Sequence, residues 1–217
     1  MLPVTPRPAH SREPAALLAA GALALVASGI APHERVTWLL EVAPAVIAAA
    51  ILAATRRRLP LTPLAYRLVF VHALILMLGA HYTYARVPLG YWVQDALELA
   101  RNHYDRLGHF AQGFAPAIVA REVLARAVPL RRAGWLALLS VCVVLAASAF
   151  YELIEWWAAR IGGIAAESFL ATQGDVWDTQ WDMFLCLCGA LCSLALLGRR
   201  HDRELARAEC EASVRAG

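Results

Sequence analysis

Two imidazoles and a carboxylate, His103, Asp105 and His109, stand at the mouth of an apolar segment, with Gln112 close behind them. Two further acidic clusters, Glu152 with Glu155 and Asp175 with Asp178 and Asp182, stand at the ends of two later apolar segments. Imidazole and carboxylate together are a donor set for zinc, manganese or iron, and a carboxylate-rich surround favours manganese, magnesium or calcium. Such an ion would activate water or hold a lipid phosphate. Without an ion, the same residues describe a proton or ion pathway, because carboxylates and histidines inside membrane spans serve as relays and counter-ions. A purely structural reading stands beside both: Asp178 or Thr179 as a helix N-cap, and Asp105 with Arg106 or Arg101, or Glu155 with Arg160, as interfacial ion pairs of small energetic value.

The elements that must position these residues follow from composition. Of 217 residues 60% are hydrophobic, above the apolar share of soluble domains, so the class is a polytopic membrane protein. Six segments approach the roughly 20 apolar residues that cross a hydrocarbon core: 15–31, 36–54, 64–85, 109–127, 135–158 and 181–197. Segments that long satisfy their backbone in lipid as helices, so the expected fold is all-α, a bundle of about six transmembrane helices. The expected organisation is an N-terminal tail over 1–14, a transmembrane domain over 15–198 and a C-terminal tail over 199–217. All twenty Lys-plus-Arg positions are arginine. Those after the second span (Arg56, Arg57, Arg58, Arg67), after the fourth (Arg121, Arg126, Arg131, Arg132) and after the sixth (Arg199, Arg200, Arg203, Arg207) fall on one side. The positive-inside rule makes that side cytoplasmic, and both termini with it. The net charge of +3 is dispersed, with no basic stripe interleaved with aromatics, so nucleic acid is not expected as a partner.

With six alternating spans, all three polar clusters meet at the outer end, joined there by Glu41, His81, Tyr82 and Tyr84. Asp105, His109 and Gln112 share one face if their helix starts by Asp105; Glu152 and Glu155 share another with Ser148. Asp175, Asp178 and Asp182 form a stripe if the last helix begins in the preceding loop, and Gly189 continues it inward. Gly108, Gly113 and Gly189 permit close helix approach. The apolar residues of 91–100 recur at helical spacing, predicting a short amphipathic helix along the outer surface, and 162–172 is a second candidate cover. Trp92, Trp156, Trp157, Trp177 and Trp181 gather at the same boundary, as an aromatic belt does. Of the five cysteines, the four in apolar runs read as small hydrophobes. His72 reads as a hydrogen-bonded core residue, and His10, His33 and His201 as surface residues.

The motifs carry a resemblance. Residues 104–114 (YDRLGHFAQGF), 151–156 (YELIEW) and 172–183 (TQGDVWDTQWDM) resemble the YjdF-like inner-membrane protein family of bacteria, which implies a multi-pass inner-membrane protein and no particular activity. Over the last three spans, Asp105 to His109, Glu152 or Glu155, and Asp182 with Gly189 are also similar to the pattern of VanZ-like membrane proteins. The aspartates 175, 178 and 182 have some likeness to those of CDP-alcohol phosphotransferases, but the Gly and Ala-Arg that should follow are missing, which argues against that activity. The expectation is therefore metal-assisted chemistry or binding on an envelope lipid or lipid-linked substrate. In it His103, Asp105, His109, Glu155, Asp175, Asp178 and Asp182 are candidate metal ligands, and Glu152 and Glu155 join Asp105, His109, Asp178 and Asp182 as candidate catalytic groups. Arg106 and Gln112 are candidate binding residues. The partners are the bilayer and possible further copies of the chain. A small transporter or proton relay, and a non-catalytic assembly factor, are the alternatives.

Overall fold

The computed structural model describes residues 12–128, 130, 133–162 and 170–216. Seven helices carry the described chain, joined by one 3-10 turn at Tyr84–Arg86. They are α1 Glu13–Ser28, α2 Arg35–Thr55, α3 Pro63–Tyr82, α4 Pro88–Ala96, α5 Tyr104–Ala127, α6 Ala133–Gly162 and α7 Asp178–Ala216. The six long helices coincide with the six segments expected from sequence, and α4 is the short amphipathic helix. It leaves Leu89, Tyr91, Trp92 and Val93 exposed, as a helix resting on a membrane surface does. Of the second candidate cover, 163–169 lie outside the described residues.

By length and composition, α2, α3, α6 and α7 can cross a membrane, and α1 is a shorter apolar helix. The fourth expected span, α5, is long enough but is not among them. It carries Asp105, Arg106, His109, Gln112, Arg121, Glu122 and Arg126, and it packs on α3, α6 and α7. A helix shielded by its neighbours need not be apolar, so the polar element is central and the apolar helices surround it.

Two glycines set the α5–α7 contact. A Cβ on Gly113 would stand 1.9 Å from the Cys186 carbonyl oxygen, and one on Gly189 2.0 Å from that of Phe110. The backbones therefore touch, as expected of small residues at such crossings. His109 lies one turn from Gly113 and Asp182 two turns from Gly189, so the crossing holds these side chains face to face.

α7 runs on past its apolar part to Ala216, so most of the segment expected as a tail is helical. That extension brings His201, expected at the surface, alongside the end of α5, where it is fully buried. The reason is register: His201 continues the α7 face that packs on α5 through Ala190 and Ser193, both buried.

The two ends of the bundle differ in chemistry. One carries the starts of α3 and the arginines of the intervening loops; Glu13 pairs there with Arg67, and the Leu64 amide donates to Glu204. At the other, the starts of α2, α5 and α7 meet the ends of α1, α3 and α6, and the His33 amide donates to the His81 carbonyl.

Candidate functional site

At the end opposite the arginine-rich loops, α5 begins at Tyr104 because the Asn102 side chain accepts from the Tyr104 amide at 3.0 Å while its own amide donates to the Val87 carbonyl. Asp105 is thereby in the first turn and His109 one turn below, both buried. α6 contributes Glu152 and α7 contributes Asp182, also buried. His109 is the hub. Its Nε2 lies 3.6 Å from Asp105 Oδ1 and 3.8 Å from Asp182 Oδ1, and its Nδ1 lies 3.8 Å from Glu152 Oε1.

One hydrogen bond decides what this hub can do. Nδ1 is 2.9 Å from Gln112 Oε1, an acceptor, so the imidazole places its N–H there. In the neutral ring Nε2 then presents a lone pair toward two carboxylate oxygens that stand beyond hydrogen-bond length. With the ring neutral, its lone pair and two carboxylate oxygens converge on one point, where a ring proton or a cation would lie between them. Asp182 Oδ1 and Glu152 Oε1 are buried without any hydrogen-bond partner. One ligand atom each from Asp105, His109 and Asp182 lies within 4.8 Å of the other two, a span that an ion with bonds of about 2.0–2.2 Å can bridge after small side-chain movements. A histidine that ligates through one nitrogen and donates from the other is the usual arrangement at such centres.

The remaining sequence candidates fall around this core. Glu155 is within electrostatic reach of Glu152, His109, Asp105 and Asp182. Asp178 and Asp175 form a separate rim with two arginines. Arg101 donates to Asp178 at 2.7 Å and to the Thr172 carbonyl, and Arg106 donates to Asp175 at 2.9 Å while lying over the Trp181 ring at 5.1 Å. α7 begins only at Asp178, so Asp175 is in the loop, where its Oδ1 also accepts from the Trp177 amide. Asp105, read as a possible partner of Arg101 or Arg106, faces His109 instead. His103 sits at this rim, where burial and then the charges of Arg106 and Arg101 hold its imidazole below the ordinary range. The five tryptophans of the belt are all exposed.

Two residues that the sequence reading placed near this end but left out of the candidate site gain weight. Glu41 on α2 is buried with both carboxylate oxygens unpartnered and within electrostatic reach of Asp105. Its signal was a lone acid in an apolar run. Arg101, read as a possible partner of Asp105, supplies the counter-charge to Asp178 instead. His72, read as hydrogen-bonded, has no partner on Nε2.

Comparison with known proteins places the chain among membrane proteins. The family described as Predicted membrane protein (DUF2238) matches over residues 14–203. The chain is also similar to the Inner membrane protein YjdF of Escherichia coli (strain K12), 56% identical over 185 residues, which cover 85% of this chain and 88% of the relative. No solved structure matches.

Proposed function

The chain belongs to the DUF2238 family of membrane proteins and is a multi-pass protein of the bacterial inner membrane, and from that premise we propose that its buried polar end holds a divalent cation and uses it on the anionic headgroup of an envelope lipid or lipid-linked substrate. The observation that carries this reading is the convergence at His109: Nε2 with a carboxylate oxygen from each of Asp105 and Asp182, and Asp182 Oδ1 unpartnered. Burying unpaired charge costs several kcal/mol per ion in general, and a cation removes that cost.

In this reading Asp105, His109 and Asp182 hold the ion, and Gln112 fixes the tautomer of His109. Glu152, backed by Glu155, takes up a proton from water or from the substrate. Arg101 and Arg106 meet the anionic group, held in place until then by Asp178 and Asp175, with His103 beside them. The bound ion supplies polarisation of a headgroup oxygen.

A second reading, a proton relay, draws on a different observation: both oxygens of Glu41 on α2 and Nε2 of His72 on α3 are buried without a hydrogen-bond partner, each within electrostatic reach of a triad residue. Elemental analysis of detergent-purified protein separates the two. Stoichiometric metal in the wild type, lost in folded Asp105→Ala, His109→Ala and Asp182→Ala, is the expected result. A wild type without metal, after chelator-free purification and reloading with zinc or manganese, would sink the cation reading and leave the relay. Loss of folding or of partner binding in the same three variants would favour the assembly-factor alternative.

A further inference from the structure

A second feature lies on the far side of the bundle from the polar site. α1 and α2 pack mainly on α3 rather than on each other, and at Gly21, Ala45 and Ala49 the side chains are too small to fill the space left between the three helices. The result is an almost wholly apolar cavity of about 220 Å³. An apolar space of about 150 Å³ is already enough to stay dry and take up benzene. Water has too few polar partners here to fill it.

The dimensions identify what does. Along α2 the lining runs from Ala45 to Arg56, about 16 Å at 1.5 Å per residue. That is the depth of one leaflet, half of a hydrocarbon core of about 30 Å. The exposed lining residues Leu18 and Val46 mark its edge toward lipid. The polar end is Arg56, and among the described residues no acidic side chain pairs with it. We propose that this groove binds one anionic phospholipid of the leaflet on the Arg56 side, with an acyl chain between α1, α2 and α3 and the phosphate at Arg56. Arg57 and Arg58 add to the positive potential there.

The test is lipid analysis of full-length protein purified in mild detergent and offered mixed vesicles of phosphatidylglycerol and phosphatidylethanolamine. Wild type is expected to retain phosphatidylglycerol stoichiometrically and in preference to phosphatidylethanolamine. Arg56→Gln should lower that preference about fivefold, the worth of one basic residue at an anionic surface, and Arg203→Gln should leave it unchanged. Ala49→Phe, which fills the groove, should abolish retention, with Gly21→Leu as the second filling variant if the first fails to fold. Equal retention of both lipids by the wild type, or retention unaffected by Arg56→Gln and by a folded filling variant, would overturn the proposal.

Discussion

Each end of the bundle buries a histidine against a carboxylate, and the two ends treat the pair in opposite ways. At the arginine-rich end, Glu122 is fully buried and both oxygens are occupied. Oε1 accepts from the Thr62 amide at 2.8 Å and pairs with Arg126 at 2.6 Å; Oε2 accepts from the Thr62 hydroxyl at 2.7 Å and from His201 Nε2 at 3.1 Å. Arg121 donates to the other nitrogen of His201 at 2.9 Å, which fixes its tautomer. At the site end, His109 has one nitrogen satisfied by Gln112, and its other nitrogen faces Asp105 and Asp182 across gaps no hydrogen bond closes. Burial is the same, and satisfaction is what differs. A complete network is what a fold needs to tolerate buried charge; in the proposed reading a cation completes the other one.

The comparison can be broken by mutation. Glu122→Ala strands the Thr62 amide, His201 and Arg126, and should cost about 3–5 kcal/mol in denaturant unfolding, the usual loss when one partner of a buried pair is removed. Its metal content should match the wild type wherever it folds. A mild Glu122→Ala would mean that the network at the arginine-rich end is dispensable and the contrast false. Next in size is Gly189→Leu, whose side chain meets the Phe110 backbone. Overpacking there should cost about 1–3 kcal/mol and, by forcing α7 from α5, should also remove metal. Asp182→Asn is the discriminating case: in the presence of chelator it should unfold no more easily than the wild type, and by up to about 1 kcal/mol less easily, because it relieves unpaired charge. The same variant should fail to gain the stability that added metal gives the wild type. If Asp182→Asn destabilises the metal-free protein as Glu122→Ala does, the site end is as structural as the other. Smallest of all, Arg67→Ala removes the exposed pair with Glu13 and should leave the melting temperature unchanged.

The polar central helix shows where sequence patterning succeeds and where it misleads. The end of α5 at Ala127 was legible, whereas its start was expected at 109, with a start by Asp105 only as the condition for a shared face; the helix begins at Tyr104. Its environment was not legible, because hydropathy assumes that lipid surrounds each span, whereas α3, α6 and α7 surround this one. Glu122 and His201 went unread as a pair for a related reason: they lie on separate helices far apart in sequence, and the one local partner, Arg126 four residues after Glu122, signals only an ordinary ion pair along one helix. His109 and Asp182 were legible as candidates because polar residues at the ends of apolar segments are costly and therefore few.

By itself the sequence determined the membrane class, six long helices, their alternation, and the gathering of acidic clusters at one end. Those properties follow from segment length, apolar content and arginine placement, each a sum over local residues. Tertiary structure alone decided that Asp175 and Asp178 serve the arginines while Asp105 and Asp182 converge on His109. It also decided that Glu41 is left without a partner and Glu122 is not. Helix rotation and the close crossing at Gly113 and Gly189 set those assignments, and a rotation of one residue, about 100° of helix, would have exchanged them.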